Sequence, residues 1–599
     1  MRTEDFQHPD VGEYLDTDLC IVGGGPAGLT VAKEFFGTTI EALIIESGGL
    51  APEAHSDALS EIESIGWPRR MEPTQTRNRI FGGTSHSWSG RCAPFDEIDF
   101  EARNWVPYSG WPISRRELHQ YFKRAAPFLG LRHVCYDDHL WNLFSHRTSK
   151  PDLDPAKFRS VFWQFSRDDA EPREFMRFGR RFLAEKAANV RVLLHASVTQ
   201  IIPDASGSRL KSIEIASPQG KRALVQCKAL VLCAGGIENA RLLLCSNRII
   251  KNGIGNRYDM VGRFLMDHPR PTLGEFEVTE FRLREKYGPN RIGSKRSGHF
   301  FLPGLALSPE YQRKMGLLNC AAWLEEHRAL DDPFDAAKRF ITRRNGRSLS
   351  DLAKALCQPR LISQGLYDRV SGERVKHKLL TLVLKCILEQ RPDPASRIRL
   401  SDRIDSLGMP LAQLDWKVSH QERETASALG KLIASEFKRI GLPSPNLAEW
   451  VQAGRFEEAQ FIDVAHPTGT TRMSSSPDAG VVDKNCHIHG FDGVYIAGSS
   501  VFPTSGHANP TFMIVALAIR LADWLKPRLL ASKRAYCPST ARAENGASSE
   551  TEPAEQQARS HPWLDQKSDQ IQSKPQPHQP SSRMQPLALR RHWLTILAF

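Results

Sequence analysis

The sequence lacks any run of about 18 uninterrupted apolar residues, the usual minimum for a membrane-spanning helix. Its 11 cysteines, scattered from Cys20 to Cys537, include no CxxC pair, which argues against a disulfide framework or a zinc site. The N-terminal segment MRTEDFQHPDVGEYL has neither an apolar signal-peptide core nor paired arginines. These absences predict a protein of the reducing cytoplasm that has no metal site.

The composition is that of a large globular protein. With 599 residues, 40% of them hydrophobic and 25% charged, the chain is long enough for several domains, and a fibrous or wholly disordered protein is excluded. Residues 16–530 alternate apolar strand-like runs, helical periodicity and glycine-rich turns, as a mixed α/β enzyme does. Residues 531–599 are rich in Ser, Gln, Pro, Glu and Ala and are predicted to form a disordered tail.

The formal charge of +12 is concentrated in two segments. Residues 333–399 hold 15 Lys and Arg against 6 Asp and Glu, and the tail holds 9 against 6. Because no RNA- or DNA-binding motif accompanies this charge, nucleic acid is not predicted as a partner. Within this basic insertion, residues 374–390 are predicted to form a helix with one apolar face. That helix either packs in the core or makes a peripheral contact with an anionic membrane or an acidic partner.

The N-terminal part contains a nucleotide-binding pattern. An apolar strand, residues 18–22, leads into a G-x-G-x-x-G turn formed by Gly23, Gly25 and Gly28, and a helix follows. The N-terminus of that helix offers free N–H groups to a pyrophosphate. A second strand ends at Glu46, whose carboxylate can accept hydrogen bonds from a ribose. The pattern does not by itself distinguish FAD from NAD.

A second strand–turn–helix pattern favours FAD. Residues 223–245 comprise an apolar strand, a turn that contains Ala234 and Gly235, and a helix. Residues 191–204 are predicted to add one strand to the same sheet. A nucleotide domain that is split along the chain in this way suits a large cofactor such as FAD better than NAD.

The C-terminal part holds candidate catalytic residues. His466 lies in a loop, and an imidazole with a pKa near 6.5 is suited to accept the proton of an alcohol. Asn509 as N-cap and Pro510 as first helical residue are predicted to begin a mostly buried helix. The positive N-terminal end of this helix would meet the N1–C2=O edge of a flavin. Asn509 would also bind the alcohol oxygen, and His507 is a candidate substrate contact.

These patterns together resemble the glucose–methanol–choline (GMC) family of flavin oxidoreductases over residues 16–525. The resembling segments are VGGGPAG with ESGG, FGGTS, LVLCAGGIENARLLL, MVGRFLMDHP, HPTGTTRM and GHANPT. The HPTGTTRM and GHANPT forms are most similar to those of pyranose oxidases and bacterial sugar dehydrogenases.

The resemblance implies an α/β fold, α+β overall, in which a split Rossmann-like FAD-binding domain is joined to a substrate domain on an antiparallel sheet. The implied FAD-binding domain comprises residues 15–120, 185–270 and 455–530. The implied substrate domain comprises residues 121–184 and 271–454, including the basic insertion.

The resemblance also implies FAD-dependent oxidation of a CH–OH group of a sugar or other alcohol. His466 and Asn509 would be the catalytic pair, and a hydride would pass to flavin N5. Beyond Gly23, Gly25, Gly28 and Glu46, the implied cofactor-binding residues are Ser47, Gly83, Thr84, Ser85, Val198, Ala234, Gly235, Gly498, Ser499, Pro510 and Thr511.

Two departures from the family pattern refine these expectations. Pyranose oxidases attach FAD through a histidine near the start of the chain, but here Ser87 matches that position and His86 comes one residue earlier. Non-covalent FAD is therefore expected. Gly498 stands where many relatives have an acid, a change shared by the sugar dehydrogenase branch. A dehydrogenase is favoured over an oxidase, and oxygen, a quinone or a carrier is left open as the electron acceptor.

Two other interpretations stay open at this point. An NAD(P)H-dependent flavin monooxygenase or halogenase would share the N-terminal glycine turn, but that class does not explain the segments around His466 and Asn509. A degenerate scaffold without cofactor does not explain the intact glycines and Glu46.

Overall fold

The computed structural model describes residues 2–69, 72–132, 135–144, 149–168, 174–278, 281–293, 298–342, 349–371, 375 and 377–535. From residue 536 onward, the segment predicted to be a disordered tail lies outside the described residues. The first residues assigned to that tail instead continue the last helix, which ends at Ala535.

An eight-stranded mixed sheet carries the nucleotide-binding pattern. Its strands are β1 (Arg2–Asp5), β2 (Tyr14–Val22), β3 (Ala42–Ile45), β7 (Val190–Leu194), β8 (Ser197–Pro203), β9 (Leu210–Ala216), β10 (Arg222–Leu232) and β19 (Val494–Ile496). The order is β1-β7-β3-β2-β10-β9-β8, with β19 also on β10. All pairs are parallel except β10–β9 and β9–β8, as the continuous apolar runs of the central strands indicate. The single strand predicted over residues 191–204 is in fact two strands, because the chain turns at His195, which has φ 55°.

A second eight-stranded sheet is antiparallel throughout. Its strands are β5 (Arg91–Cys92), β6 (Phe158–Phe165), β11 (Thr272–Phe276), β12 (Asn290–Ile292), β13 (His299–Leu307), β14 (Cys320–Arg328), β15 (Leu379–Leu388) and β18 (Asn446–Leu447). The order is β18-β11-β15-β14-β13-β6-β5, with β12 on β13. The helix predicted over residues 374–390 is wrong. The run LLTLVLKCIL is apolar on both faces because, as the central strand β15, it is covered on both sides.

A small third sheet joins distant parts of the chain. It consists of β4 (Ile62–Ser64), β16 (Arg397–Ile404) and β17 (Pro410–Asp415), in the order β16-β17-β4. Strand β4 belongs to the implied FAD-binding segments and β17 to the implied substrate domain. The domain boundaries stay a prediction.

Sixteen α-helices lie in the described part of the chain. They are α1 (Pro26–Glu34), α2 (Ala54–Ala58), α3 (Pro73–Thr76), α4 (Glu97–Phe100), α5 (Arg115–Phe128), α6 (His139–Leu143), α7 (Phe178–Leu183), α8 (Gly235–Cys245), α9 (Phe281–Tyr287), α10 (Pro309–Met315), α11 (Pro333–Thr342), α12 (Leu349–Leu356), α13 (Pro359–Ser371), α14 (His420–Arg439), α15 (Glu449–Ala453) and α16 (Thr511–Ala535). Helices α1, α8 and α16 share one apolar core with the first sheet, and α14 covers one face of the second sheet. None of the described helices combines the length and apolar character needed to cross a bilayer. The ten cysteines in this part of the chain are free thiols.

Candidate active site

Four glycine-containing turns meet at the carboxyl edge of the first sheet. Main-chain hydrogen bonds of 2.8 Å tie them together, from Gly82 N to Gly24 O, from Cys233 N to Val22 O and from Ala497 N to Leu232 O. The structure thereby brings together ten of the predicted cofactor-binding residues: Gly23, Gly25, Gly28, Gly83, Thr84, Ser85, Ala234, Gly235, Gly498 and Ser499. Such a crevice at the carboxyl ends of parallel strands is where open α/β sheets bind their ligands.

The turns leave space for a ligand that approaches the main chain closely. Gly235 and Gly498 have φ values of 89° and 116°, and a Cβ added to either would have no atom within 4 Å. The N-termini of α1 and α8 carry no side-chain cap, so their first N–H groups face the same space. Free helix N–H groups beside glycine cradles fit the phosphates of a dinucleotide such as FAD.

Glu46 lies at the end of β3, as the sequence predicts, and is buried. Its carboxylate accepts hydrogen bonds from Gly24 N (2.8 Å) and Gly48 N (2.9 Å). Burial raises the pKa of Glu46, although these two bonds act in the opposite direction. The neighbouring Ser47 accepts a hydrogen bond from Arg79 Nη1 (3.2 Å). Glu46 therefore shapes the first glycine turn, and its bond to a ribose stays a prediction.

The remaining predicted cofactor residues lie in two other elements. Val198 is a buried residue of β8, the strand that packs beside α8. Pro510 and Thr511 lie at the start of α16, but the helix begins one residue later than predicted. The Pro510 carbonyl accepts the first helical hydrogen bond, from Ile514 N (2.9 Å), so Pro510 rather than Asn509 is the capping position. Asn509 is thus released from the cap, and its half-buried side chain makes no hydrogen bond with the described residues.

A fully buried carboxylate, Asp267, fixes the loop that carries His466. Asp267 accepts hydrogen bonds from the main-chain N–H groups of Val464 (3.2 Å) and His466 (3.0 Å). It also pairs with Arg69 Nη2 at 2.7 Å, and Asp463 pairs with the same nitrogen at 2.9 Å. Burial works against ionisation of Asp267, but Arg69, the neighbouring His466 and His268, and the main-chain hydrogen bond from His268 together lower its pKa. The carboxylate thus holds the His466 main chain in place.

The His466 ring makes no hydrogen bond through its buried Nδ1 atom within the described residues. Burial, opposed by Asp267 and assisted by the charges of Arg270 and Arg69, lowers the pKa of His466 to about 4. At neutral pH the imidazole is uncharged and can accept a proton.

Two more histidines extend the site from His466 toward Asn509. The His268 ring lies edge-on to that of His466, with 5.2 Å between centroids and 89° between planes. Burial and the charges of His466 and His507, opposed by Asp267, lower the pKa of His268 to about 3. His507 is buried, and its Nδ1 lies 3.4 Å from Asp96 Oδ2. Burial lowers the pKa of His507 to about 4.

The sequence did not identify several residues that shape this site. Asp267, His268 and Arg69 contact the His466 loop from positions about 200 and 400 residues away. His268 was noted only as part of a family-like segment. The role of Asp267 could not be found from spacing, because its partners are brought together only by the folded chain.

Comparison with known proteins gives one family match. The C-terminal model described as "GMC oxidoreductase" matches residues 392–518, which include His466 and Asn509. The fructose dehydrogenase large subunit of Gluconobacter japonicus is 26% identical over 57% of this chain and 54% of its own length. The chain thus spans about half of that relative.

Other similarities extend over most of the chain. The 6'''-hydroxyparomomycin C oxidase of Streptomyces lividus is 23% identical over 87% of this chain and 93% of its own. The crystal structure of formate oxidase matches with a TM-score of 0.52 and 16% identity, covering 86% of this chain and 99% of the other. At that identity the structural match establishes the fold, which is a Rossmann-like fold with mixed sheets, as expected.

Proposed function

The chain belongs to the GMC oxidoreductase family, and from that premise we propose that it oxidises a CH–OH group of a sugar or another small alcohol. The cofactor is FAD. One relative carries the name of a dehydrogenase and another that of an oxidase, so both kinds of electron acceptor have a precedent. We favour a dehydrogenase of the sugar-oxidising branch, with a quinone or carrier ahead of oxygen as acceptor.

The four glycine turns, Glu46 and the start of α16 would hold FAD. When bound, FAD supplies a flavin that accepts a hydride at N5. Non-covalent binding is supported by His86, whose Nε2 lies 3.1 Å from the Phe81 carbonyl oxygen, and by Ser87 at the position of attachment in pyranose oxidases. The glycine cradles at Gly235 and Gly498 speak against a scaffold without cofactor.

The observation that carries the proposal is the state of His466. Its main chain is fixed by Asp267, while its imidazole is uncharged and has an unpartnered nitrogen. A base in this state can take the hydroxyl proton of an alcohol, and loss of that proton makes the carbon a better hydride donor. The free amide of Asn509 would bind the same oxygen and orient the carbon. His507 would contact the substrate from the side of Asp96.

A flavin monooxygenase or halogenase is the second interpretation from the sequence. That class requires NAD(P)H or a reductase as the source of electrons and gives no role to a fixed, uncharged His466. Reduction of the bound flavin by an alcohol alone, without NAD(P)H, distinguishes the two classes.

The test is anaerobic reduction of the purified yellow protein by a panel of sugars and alcohols. We expect bleaching in wild type, and in His466→Asn we expect retained FAD but a rate of reduction at least about 100-fold lower. His489→Asn is the matched control, because His489 lies in the same C-terminal segment but contacts the Ser474 hydroxyl at 3.2 Å. Equal rates in the two variants would contradict the assignment. Repeating the reaction in air measures the reactivity with oxygen.

The basic insertion supports a further part of this proposal, a peripheral contact with an anionic membrane. Helices α12 and α13 leave large apolar side chains in solvent: Leu349 is 79% exposed, Leu356 69% and Tyr367 65%. The insertion also has an excess of nine positive charges. Exposed leucines in a segment with an excess of positive charge suit the interface of an anionic bilayer.

Vesicle sedimentation tests the membrane contact. We expect the protein to sediment with phosphatidylserine-containing vesicles at low salt, and not with phosphatidylcholine vesicles or at high salt. Exchange of Leu349 and Leu356 for Ser should abolish sedimentation without loss of FAD. Equal sedimentation by wild type and this variant would contradict the membrane contact.

A further inference from the structure

One face of the second sheet shares its core with the first sheet and carries large side chains with polar atoms. In the antiparallel register, Trp163 pairs with Leu302, Trp323 with Lys385, and Arg91 with Phe165. Because side chains alternate along each strand, these residues share one face, and the opposite face packs against α14. Trp163 and Trp323, on the same face as Arg91, belong to the core that contains the first sheet and the start of α16.

This face is rich in hydrogen-bond donors without acceptors. The buried Nε atoms of Arg91 and Arg270 and the buried Nε1 atoms of Trp163 and Trp323 have no partner within the described chain. Both tryptophans are at least 97% buried. Buried donors are normally paired, and a set of unpaired donors on one surface indicates a ligand that accepts hydrogen bonds.

The charges on this face are also unbalanced. Arg91, Arg270 and Lys385 all act on the carboxyl group of Glu325 and, with its hydrogen bond to His327, lower its pKa against the effect of burial. Within the described residues, neither arginine has a carboxylate within the 4.0 Å of an ion pair. Glu275, the other acid that acts on Lys385, is exposed to solvent. Three cations therefore share one nearby carboxylate.

The two guanidinium groups are placed for binding. Arg91 is held by stacking, with its Cζ 5.2 Å from the Trp323 ring and 5.9 Å from the Phe165 ring. A guanidinium held over ring faces keeps its N–H groups available to a hydrogen-bond acceptor. Arg270 is bridged by its main chain to Ile462, four residues before His466, and its charge lowers the pKa of His466. Arg270 thus lies near the predicted base, and Arg91 lies near Arg270.

We propose that the substrate is an alcohol that also carries a carboxylate, such as a sugar acid or a hydroxy acid, and that Arg91 and Arg270 bind this carboxylate. The inference rests on the proposed function and names the substrate class of the same site. A planar guanidinium matches a carboxylate through two parallel hydrogen bonds, and the tryptophan N–H groups supply further donors to the hydroxyl oxygens.

The first test measures binding without turnover. Calorimetric titration of the FAD-loaded protein compares benzoate with benzamide, which has the same shape but no charge. We expect benzoate to bind at least about tenfold more tightly in wild type. Arg91→Met and Arg270→Met should remove this preference, Arg270→Lys should restore part of it, and the exposed control Arg399→Met should retain it. Equal binding of the two compounds to wild type would overturn the inference.

The second test compares rates of anaerobic flavin reduction by methyl glucoside, methyl glucuronide and glucose 6-phosphate. We expect the carboxylate to be the fastest substrate and its advantage to shrink in Arg270→Met and in high salt. A neutral sugar that reacts as fast would overturn the inference and leave the proposed function standing. Preference for the phosphate would overturn the assignment of a carboxylate. If no alcohol reduces the flavin, the proposed function fails, and the benzoate titration still decides the anion site.

Discussion

Replacement of Asp267 by asparagine should lower both the stability of the protein and the rate of flavin reduction, for two different reasons. Asp267 Oδ1 accepts from His268 N (2.7 Å) and Val464 N (3.2 Å), and Oδ2 accepts from His466 N (3.0 Å) and Arg69 Nη2 (2.7 Å). Asparagine keeps one acceptor oxygen, but its amide nitrogen would face two donors. The change loses two charge-assisted hydrogen bonds in a buried site, at a cost of about 3–5 kcal/mol in the free energy of unfolding.

Activity should fall for a separate reason. Without the bond to its main-chain N–H, the loop of His466 is no longer fixed, and a shift of about 1 Å can cost about 100-fold in rate. Asp463→Asn is the matched control, because Asp463 pairs with the same Arg69 Nη2 at 2.9 Å. We expect both variants to lose stability in urea unfolding, but only Asp267→Asn to lose the rate of anaerobic flavin reduction. Equal rates in the two variants, at equal FAD content, would refute the reasoning.

Three further predictions concern the cofactor and the histidines. Gly498→Ala should weaken FAD binding about tenfold or more, because the new Cβ enters the space reserved for the ligand and φ 116° disfavours alanine. Unchanged FAD affinity in a fluorescence titration would contradict this prediction. The rate of flavin reduction should be constant from about pH 5.5 to 8 and fall only near pH 4, the pKa of His466, whereas an acid limb centred near pH 6.5 would contradict an uncharged base. His268, His466 and His507 have lowered pKa values, so the folded protein binds fewer protons than the unfolded chain between about pH 6.5 and 4. The free energy of unfolding therefore decreases as the pH falls through this range. In urea unfolding, His268→Gln should show a smaller decrease than wild type.

The nucleotide-binding part could be predicted because its signals are local. The apolar residues of β2, the glycine turn, α1, β3 and Glu46 follow one another directly, and each step is favoured by residues nearby in sequence. The same holds for the turn at Ala234 and the helix after it. The parallel pairing of β2, β3 and β10 then follows from their shared apolar character.

The second sheet was harder to predict. Residues 374–390 have Lys and Arg beside an apolar run, which predicts a helix with one apolar face. The strand is recognised only once both covering layers are known, because burial on both faces is a property of the tertiary structure. The start of α16 was misplaced by one residue, since Asn and Pro are both favoured near helix N-termini and the sequence does not say which of them is the cap.

The polar centre of the site could not be predicted at all. Asp267 and Arg69 are 198 residues apart, and Arg103 and Glu389, another buried ion pair, are 286 apart. No periodicity links such residues. The same limit applies to Arg91 and Arg270, whose lack of partners is visible only when the surrounding strands are in place.

The late position of β19 has a consequence for biosynthesis. This strand pairs with β10 and leads through Gly498 into the cofactor crevice, whereas the first glycine turn leaves the ribosome near the start of translation. At roughly 5–20 residues per second, strand β10 waits on the order of 10 to 50 s for its neighbour β19. Until then, one edge of the C-terminal end of β10 lacks its neighbour, and the fourth glycine turn of the cofactor crevice is complete only after nearly all of the described chain has emerged.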